Sequence, residues 1–277
     1  HGVVPRSVGD LPADGRVLRT IEVAPAAPPR EKPSKKAAAP AAAELSLFAE
    51  DPPQAPAPAK KADRVRDLSP QPAWPGPKLA RGDAEKALKE LQDEIGPDCQ
   101  RCPLAKLGRR KVVFGVGRPD ADLVFIGEGP GADEDEQGEP FVGKAGQLLT
   151  KMIVAMGLER RDVYICNVVK CRPPGNRDPE PKEEQICGPF MLRQLQIIRP
   201  KIIVVLGKVA AMYMKGIFDI PKAKYSIGAA RGRFERYHGA GMILTYHPSY
   251  LLRAPANKKD AWSDLQQVML RLGLKAV

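Results

Sequence analysis

Four short apolar runs constrain the fold of this chain more than any other feature of the sequence. The runs occupy residues 123–126, 163–169, 202–206 and 242–246, and segments with helical periodicity separate them. All four are rich in β-branched residues and lack the polar alternation of a strand that faces solvent on one side. Strands of this kind, alternating with helices, form parallel sheets that are covered by helices on both sides. The sequence therefore predicts a three-layer α/β/α sandwich with a central four-stranded parallel sheet.

The composition divides the chain at about residue 80. The preceding residues are mostly alanine, proline and charged side chains, and such a segment cannot bury enough apolar area to offset the entropy of ordering it. We therefore expect a disordered Ala/Pro-rich arm over residues 1–80 and one folded domain over residues 81–277. Helices are predicted in that domain at about 81–95, 145–156, 181–198, 208–215 and 258–272.

Net charge indicates the kind of molecule that the protein binds, and cysteine usage indicates the cellular compartment in which it works. A formal net charge of +11 with a pI near 9.5 suits a polyanionic partner such as nucleic acid. No apolar run is long enough to cross a membrane, and the first residues lack the layout of a secretory signal. Five cysteines in such a chain indicate a reducing compartment, which we expect to be the cytoplasm, and favour metal binding or catalysis over disulfides.

Polar side chains stand at the ends of three predicted strands. Glu128 lies in the glycine-rich turn after the first strand, Asn167 lies near the end of the second, and His247 follows the last. Ligands of open α/β sheets bind beyond the carboxyl ends of the strands. We therefore expect Glu128, Asn167 and His247 to converge on one candidate active site.

Four of the cysteines have a spacing that indicates a metal centre. Cys99 and Cys102 form a Cys-x2-Cys pair, and after 68 residues Cys171 and Cys187 follow with 15 residues between them. A zinc ribbon normally closes with a second tight pair, whereas four thiolates from distant segments suit an iron–sulfur cubane. Iron is favoured, and zinc remains the alternative. Cys166, inside a predicted strand, is interpreted as a core residue.

Four ordered motifs flank the predicted strand ends. They are Gly127-Glu128-Gly129-Pro130-Gly131, Pro140-Phe141-Val142-Gly143-Lys144-Ala145-Gly146, Asn167-Val168-Val169-Lys170-Cys171-Arg172-Pro173-Pro174 and His247-Pro248-Ser249-Tyr250-Leu251-Leu252-Arg253. Together with the cysteine spacing, they resemble family 4 uracil-DNA glycosylases over about residues 98–272. The resemblance implies an α/β/α fold, a structural [4Fe–4S] cluster on the four cysteines, and base-flipping removal of uracil from single- and double-stranded DNA in base excision repair, leaving an abasic site.

The resemblance also implies roles for individual residues around the flipped base. Phe141 would stack on uracil, and the Asn167 amide would read its polar edge. His247 would donate a hydrogen bond to the charge that develops at O2, and Glu128 would position or activate the attacking water. Gly127 and Gly129 would line the uracil pocket. Gly129 departs from the alanine usual in this family, which leaves the water to another group and favours Glu128.

The last motif implies contacts with DNA. Ser249 would begin a loop that presses on the duplex, and Leu251, Leu252 and Arg253 would fill the vacated stack and hold phosphates, together with Arg172. A related group becomes covalently trapped on DNA through a histidine in the loop after the third cysteine. Residues 173–179 contain no histidine, so the sequence predicts turnover.

One short segment of the arm resembles a partner-binding peptide. Residues 44–48 form an apolar island in a polar tract, as expected of a segment that becomes ordered in a partner's groove. It is similar to the pentapeptide with which bacterial repair proteins hold the sliding clamp, with Leu45, Leu47 and Phe48 as contacts and Glu44 in place of glutamine. We expect the protein to be a monomer that associates with the nucleoid. The main rival function is a non-catalytic or redox-sensing iron–sulfur DNA-binding module.

Overall fold

The structure is a computed structural model, and it describes residues 66–67, 72–218 and 221–275. Most of the predicted arm, including the clamp-like segment 44–48, lies outside the described residues. Residues 72–80, which the sequence analysis assigns to the arm, contact the domain. Trp74 stacks on His238 with ring centroids 4.6 Å apart, and Lys78 forms an ion pair of 3.0 Å with Asp122.

Seven strands in the described residues form one sheet in the order β1-β6-β7-β5-β3-β4-β2. The strands are β1 (Arg66–Asp67), β2 (Val116–Gly117), β3 (Leu123–Gly127), β4 (Tyr164–Asn167), β5 (Ile202–Leu206), β6 (Phe234–Tyr237) and β7 (Ala240–Thr245).

The central strands β7, β5, β3 and β4 pair in parallel, which confirms the predicted four-stranded parallel core of the sheet. The sheet is larger than predicted because β2 and β6 join its two sides in antiparallel pairing and β1 joins β6. These additional strands are short or carry charged residues, as in Phe234-Glu235-Arg236-Tyr237. Strands near the sides of a sheet are not buried along both faces, so they lack the continuous apolar run that identifies a central strand.

Helices cover both faces of the sheet in the described residues. They are α1 (Arg81–Ile95), α2 (Ala132–Gln137), α3 (Lys144–Ala155), α4 (Pro181–Ile198), α5 (Lys208–Met214), α6 (Ile227–Ala230), α7 (Pro248–Arg253) and α8 (Lys258–Leu272). Short 3₁₀ turns occupy Pro103–Lys106, Arg160–Asp162, Pro174–Asn176, Lys222–Lys224 and Pro255–Asn257.

Two apolar clusters separate the layers and explain the sandwich. Along β3, Val124 and Ile126 point to a cluster with α1, α4 and α5, while Leu123 and Phe125 point to a cluster with α3, α7 and α8. This alternation follows from the two-residue period of a strand. The predicted α/β/α architecture is therefore confirmed. No helix in the described part of the chain is long and apolar enough to span a membrane.

Candidate active site

A cleft of about 370 Å³ opens at the carboxyl ends of the central strands. The turn after β3, the loop after β4, the loop before α3 and the start of α7 bound it. The lining residues are Glu128, Gly129, Pro130, Gly131, Glu134, Phe141, Ala145, Pro173, Asn176, Arg177, Asp178, His247, Ser249 and Arg253. Glu128 and His247 therefore share one cleft at the sheet edge where the strand-end rule places a ligand.

Asn167 and Phe141 meet at Gly127, the last residue of β3. A Cβ atom on Gly127 would lie 2.4 Å from Asn167 Oδ1 and 2.5 Å from Phe141 Cζ, so both side chains lie directly against this glycine. Asn167 is 1% exposed, and its Oδ1 atom has no hydrogen-bond partner among the described residues. A buried acceptor left unpaired costs about 1–3 kcal/mol. The unpaired oxygen beside an aromatic ring is therefore able to accept a hydrogen bond from a bound ligand.

The loop that carries Phe141 is held by Glu134 of α2. One carboxylate oxygen of Glu134 accepts hydrogen bonds from the backbone N–H groups of Val142 and Gly143, at 2.9 and 3.0 Å. The other oxygen accepts from the N–H of Gly131 at 3.0 Å. Phe141 has a φ of 55°, a left-handed conformation that is unfavourable for a bulky residue and needs such support. Glu134 is thus engaged in anchoring the turn and the Phe141 loop to each other.

The ring of His247 is oriented by Ser249 at the start of α7. Its Nδ1 accepts a hydrogen bond from the Ser249 backbone N–H at 3.2 Å and lies 2.8 Å from Ser249 Oγ. Because Nδ1 is an acceptor, the neutral ring carries its proton on Nε2. Burial, with the charge of Arg253, lowers the pKa of His247 to about 4. The ring centroid lies 5.5 Å from that of Phe141, so a neutral N–H donor stands beside the aromatic wall of the cleft.

Glu128 stands on the turn directly after β3. Burial raises the pKa of Glu128 to about 7, and the neighbouring carboxylate of Asp178 raises it as well. Lys222 and Lys208 act in the opposite direction. A carboxyl group that titrates near neutral pH is suited to accept a proton from water at working pH.

The residues predicted to meet DNA point in different directions from α7. Leu252, which is 43% exposed, and Arg253 face solvent. Leu251 is 1% exposed and packs in the core under the helix, so the prediction that it enters the DNA stack is wrong. Successive helical side chains are rotated by roughly 100°, so neighbours in sequence do not share one face. Ser249 bonds to His247, and Arg172 lies in the loop after β4, outside the cleft lining.

The fold brings the four predicted cysteine ligands into one neighbourhood. Cys99 and Cys102 precede a 3₁₀ turn, Cys171 follows β4, and Cys187 lies in α4. The thiols of Cys171 and Cys187 interact electrostatically with each other and with those of Cys99 and Cys102. Three of the four are buried, and Cys99 is partly exposed. Cys166 is fully buried inside β4, as expected of a core residue.

The four thiols supply the donor type that zinc and iron–sulfur clusters take from protein. The backbone N–H of Lys170 donates to Cys187 Sγ at 3.2 Å, and Arg101 donates to Cys99 Sγ at 3.4 Å. Burial raises the pKa of Cys171 to about 12 and that of Cys187 to about 11, so a bound cation would have to offset the effect of burial to hold both as thiolates. In the residues that the structure describes, no group of three or more His, Cys, Asp or Glu has the arrangement of a metal-ion site.

The loop after β4 contributes more to the cleft than the sequence predicts. Pro173, Asn176, Arg177 and Asp178 all line it. Arg177 is fixed by two hydrogen bonds, of 2.9 and 2.7 Å, to the buried carboxylate of Glu183. These four lining residues follow a predicted strand at the same sheet edge as Asn167, and that position could have indicated them from the sequence.

Comparison with known proteins places this site in a family. The family model described as the uracil DNA glycosylase superfamily matches residues 114–266, more than half of the chain. This range contains the strand-end residues Glu128, Asn167 and His247 as well as Phe141. The chain therefore belongs to the uracil-DNA glycosylase superfamily.

Within that superfamily the chain groups with the type-4 proteins. It is 48% identical to the type-4 uracil-DNA glycosylase of Thermotoga maritima over 172 residues, which are 62% of this chain and 86% of that protein. It is 44% identical to the type-4 uracil-DNA glycosylase of Archaeoglobus fulgidus over 187 residues, 66% of this chain and 92% of the other. The corresponding protein of Saccharolobus solfataricus is 42% identical over 195 residues, 69% and 88% of the two chains.

Proposed function

We propose that this chain is a DNA-repair glycosylase that hydrolyses the N-glycosidic bond of uracil in DNA and leaves an abasic site. Its family membership and its type-4 relatives support this function over a non-catalytic or redox-sensing module. The observation that carries the proposal is the unpaired, buried Oδ1 of Asn167 beside the ring of Phe141. A flipped base is recognised by stacking on an aromatic ring and by hydrogen bonds to its polar edge, and Phe141 and Asn167 provide these two kinds of contact.

Base recognition follows from the chemistry of these two side chains. A flipped uracil stacks on Phe141 and presents N3–H to Asn167 Oδ1, while the amide N–H₂ faces O4. Cytosine has a bare acceptor at N3 and an amino group in place of O4, so both contacts with Asn167 become repulsive. The cleft therefore accepts uracil and rejects the base from which deamination produces it.

The chemical step requires a stabilised uracil anion and a positioned water. When the bond between C1′ and N1 breaks, negative charge spreads to O2 of uracil, where the Nε2–H of neutral His247 donates a hydrogen bond. With a pKa near 4, His247 stays neutral and donates without giving up its proton at physiological pH. Glu128 holds the water that attacks C1′ and accepts a proton from it, which requires the ionised form of this carboxyl group.

The four cysteines would hold a [4Fe–4S] cluster. Cys99, Cys102, Cys171 and Cys187 supply the four thiolates that such a cluster takes from protein. These four residues come from α4, the loop after β4 and the segment before the first 3₁₀ turn, so a bound cluster would cross-link the three segments and would supply no chemistry to the glycosidic bond. The role assigned to it is to fix the loops that face DNA.

Contacts around the cleft would place the duplex. Leu252 is the exposed apolar side chain available to fill the vacated stack, and Arg253 and Arg172 are cations for nearby phosphates. Ser249, which also orients His247, remains a predicted DNA contact. Binding of the sliding clamp through Leu45, Leu47 and Phe48, and a monomeric state, remain predictions.

A uracil-containing oligonucleotide tests the proposal. The chain is incubated with it and the products are treated with alkali, which cleaves DNA at abasic sites; a matched thymine oligonucleotide is the blank. We expect cleavage only where uracil was present, and its loss in Asn167→Ala and His247→Ala. His238→Ala is the matched control because His238 stacks on Trp74, away from the cleft, with ring centroids 4.6 Å apart.

Three results would contradict the proposal. Uracil-independent cleavage would contradict the activity, and full activity of Asn167→Ala would contradict the assigned site. A stable covalent adduct with uracil-containing DNA would contradict the expected turnover, which rests on the absence of histidine from residues 173–179. Visible colour with absorbance near the blue end of the spectrum separates iron from zinc in the same preparation.

A further inference from the structure

A buried lysine connects Cys187, one of the four proposed cluster ligands, with Asn167, which lies beside the cleft residue Phe141. Lys170 is 1% exposed. Its ammonium group donates hydrogen bonds to the backbone carbonyl of Asn167 at 2.9 Å and to Gln194 Oε1 at 2.6 Å. Its own backbone N–H donates to Cys187 Sγ at 3.2 Å. One residue therefore contacts both a proposed cluster ligand and the residue proposed to read uracil.

The partners of the Lys170 ammonium group are unusual for a buried charge. Both hydrogen-bond acceptors are neutral oxygens, and the Phe114 ring centroid lies 5.9 Å away. Taking an ammonium group out of water is costly when no carboxylate pairs with it. A methionine of similar length would fill the same space without that cost. What lysine adds at this position is therefore the pair of hydrogen bonds that its ammonium group donates.

The far end of this hydrogen-bond chain is rigid. Gln194 Nε2 donates to the backbone carbonyl of Phe114 and to the hydroxyl group of Tyr164, both at 3.0 Å. Gln194 lies on α4, the helix that also carries Cys187. The helix that carries Cys187 therefore also fixes the position of the Lys170 ammonium group, through Gln194.

The side-chain oxygen of Asn167 has no hydrogen-bond partner among the described residues. The orientation of the Asn167 amide therefore depends on how the backbone of Asn167 is held. On one side, the peptide that follows Asn167 is held by β3, since the N–H of Val168 donates to the Gly127 carbonyl at 3.0 Å. On the other side, the carbonyl of Asn167 is held by Lys170. We infer that Lys170 is a positioning residue that fixes Asn167 against the cysteine-bearing helix and so orients its amide toward uracil. This inference rests on the proposed function.

The test compares two lysine-to-methionine variants in the iron-loaded protein. Lys170→Met removes the ammonium group and keeps the backbone N–H on Cys187. Lys215→Met is the matched control, because it removes a largely buried lysine that lies 2.8 Å from Glu235, outside the cleft lining. For each variant we would measure iron per chain, the melting temperature, kcat and KM for excision, and the inhibition constant of free uracil.

We expect Lys170→Met to weaken inhibition by free uracil about tenfold, the effect of one misdirected hydrogen bond. Iron per chain should stay at the wild-type value, and Lys215→Met should bind uracil normally even if it melts earlier. Unchanged uracil inhibition in Lys170→Met, an equal change in both variants, or a change that only accompanies iron loss would overturn the inference.

A second variant decides the matter if Lys170→Met does not fold. Gln194→Met leaves Lys170 in place but removes one of the two acceptors that hold its ammonium group. We expect inhibition by free uracil to weaken about threefold, because this change corresponds to only part of the free energy of one hydrogen bond. Unchanged inhibition in Gln194→Met would overturn the inference. Failure of the proposed function is recognised separately, because wild-type protein would then release no uracil at all, and the inference would fall with it.

Discussion

Gly127→Ala is the change whose effect the structure predicts most directly. The new Cβ atom would lie 2.4 Å from Asn167 Oδ1 and 2.5 Å from Phe141 Cζ, whereas ordinary contacts begin at 3.4 Å. Relief of this overlap requires the two uracil-binding groups to move apart by about 1 Å, and a displacement of that size in a catalytic site costs roughly 10²-fold. We therefore expect a loss of about 100-fold in single-turnover uracil excision, equivalent to about 2.7 kcal/mol.

Gly82→Ala is the matched control for this substitution. A Cβ atom on Gly82, in the exposed first turn of α1, meets nothing within 4 Å, and alanine is favoured over glycine in a helix by up to about 1 kcal/mol. Gly82→Ala should excise uracil at the wild-type rate with equal or greater thermal stability. The reasoning would be refuted if Gly127→Ala, folded by its melting curve, excised uracil nearly as fast as the wild type.

Three further predictions concern the proposed base, the anchor of the Phe141 loop and the proposed cluster. Because ionised Glu128 is the proposed base and its pKa is about 7, the excision rate should fall about tenfold per pH unit below that value. Glu128→Gln should abolish this dependence and slow excision; it should also raise the melting temperature at neutral pH, because the fold favours the uncharged form of this group. Glu134→Gln places an N–H₂ group against backbone N–H donors, so we expect a loss of about 1–3 kcal/mol in the free energy of unfolding and slower excision; an unchanged denaturation midpoint would contradict the anchoring role. Cys171→Ala should lose bound iron, and with it thermal stability or DNA affinity, before uracil recognition fails; normal stability and affinity with slow cleavage would argue against a structural cluster.

Much of the fold was predictable because its decisive signals are local. The runs 123–126 and 202–206 are apolar on both faces, and only strands buried between two helical layers can accommodate them. Their strand-end residues then followed from topology, since parallel strands end at the same edge. The short edge strands β1 and β2 gave no comparable signal, because two residues carry no periodicity and their pairing is decided by the neighbouring strands.

The chemistry of the site was only partly accessible in this way. Residue types and order identified Glu128, Asn167, His247 and the four cysteines as candidates, and motif resemblance added Phe141. The sequence did not distinguish Leu251 from Leu252, because the face of α7 that turns inward depends on its packing against α3 and the core. Nor did it distinguish Glu128, the proposed base, from Glu134, which anchors the turn after β3 to the Phe141 loop.

The sequence by itself determined the layer architecture, the edge of the sheet that bears the site, and the residue types available there. Tertiary structure alone decided which of those residues are free to act. Glu134 is engaged by three backbone N–H groups, Asn167 Oδ1 is left without a partner, and His247 is held in one tautomer by Ser249. Such differences arise from contacts between segments distant in the chain, and hydrogen bonding, burial and pKa depend on those contacts rather than on local propensity.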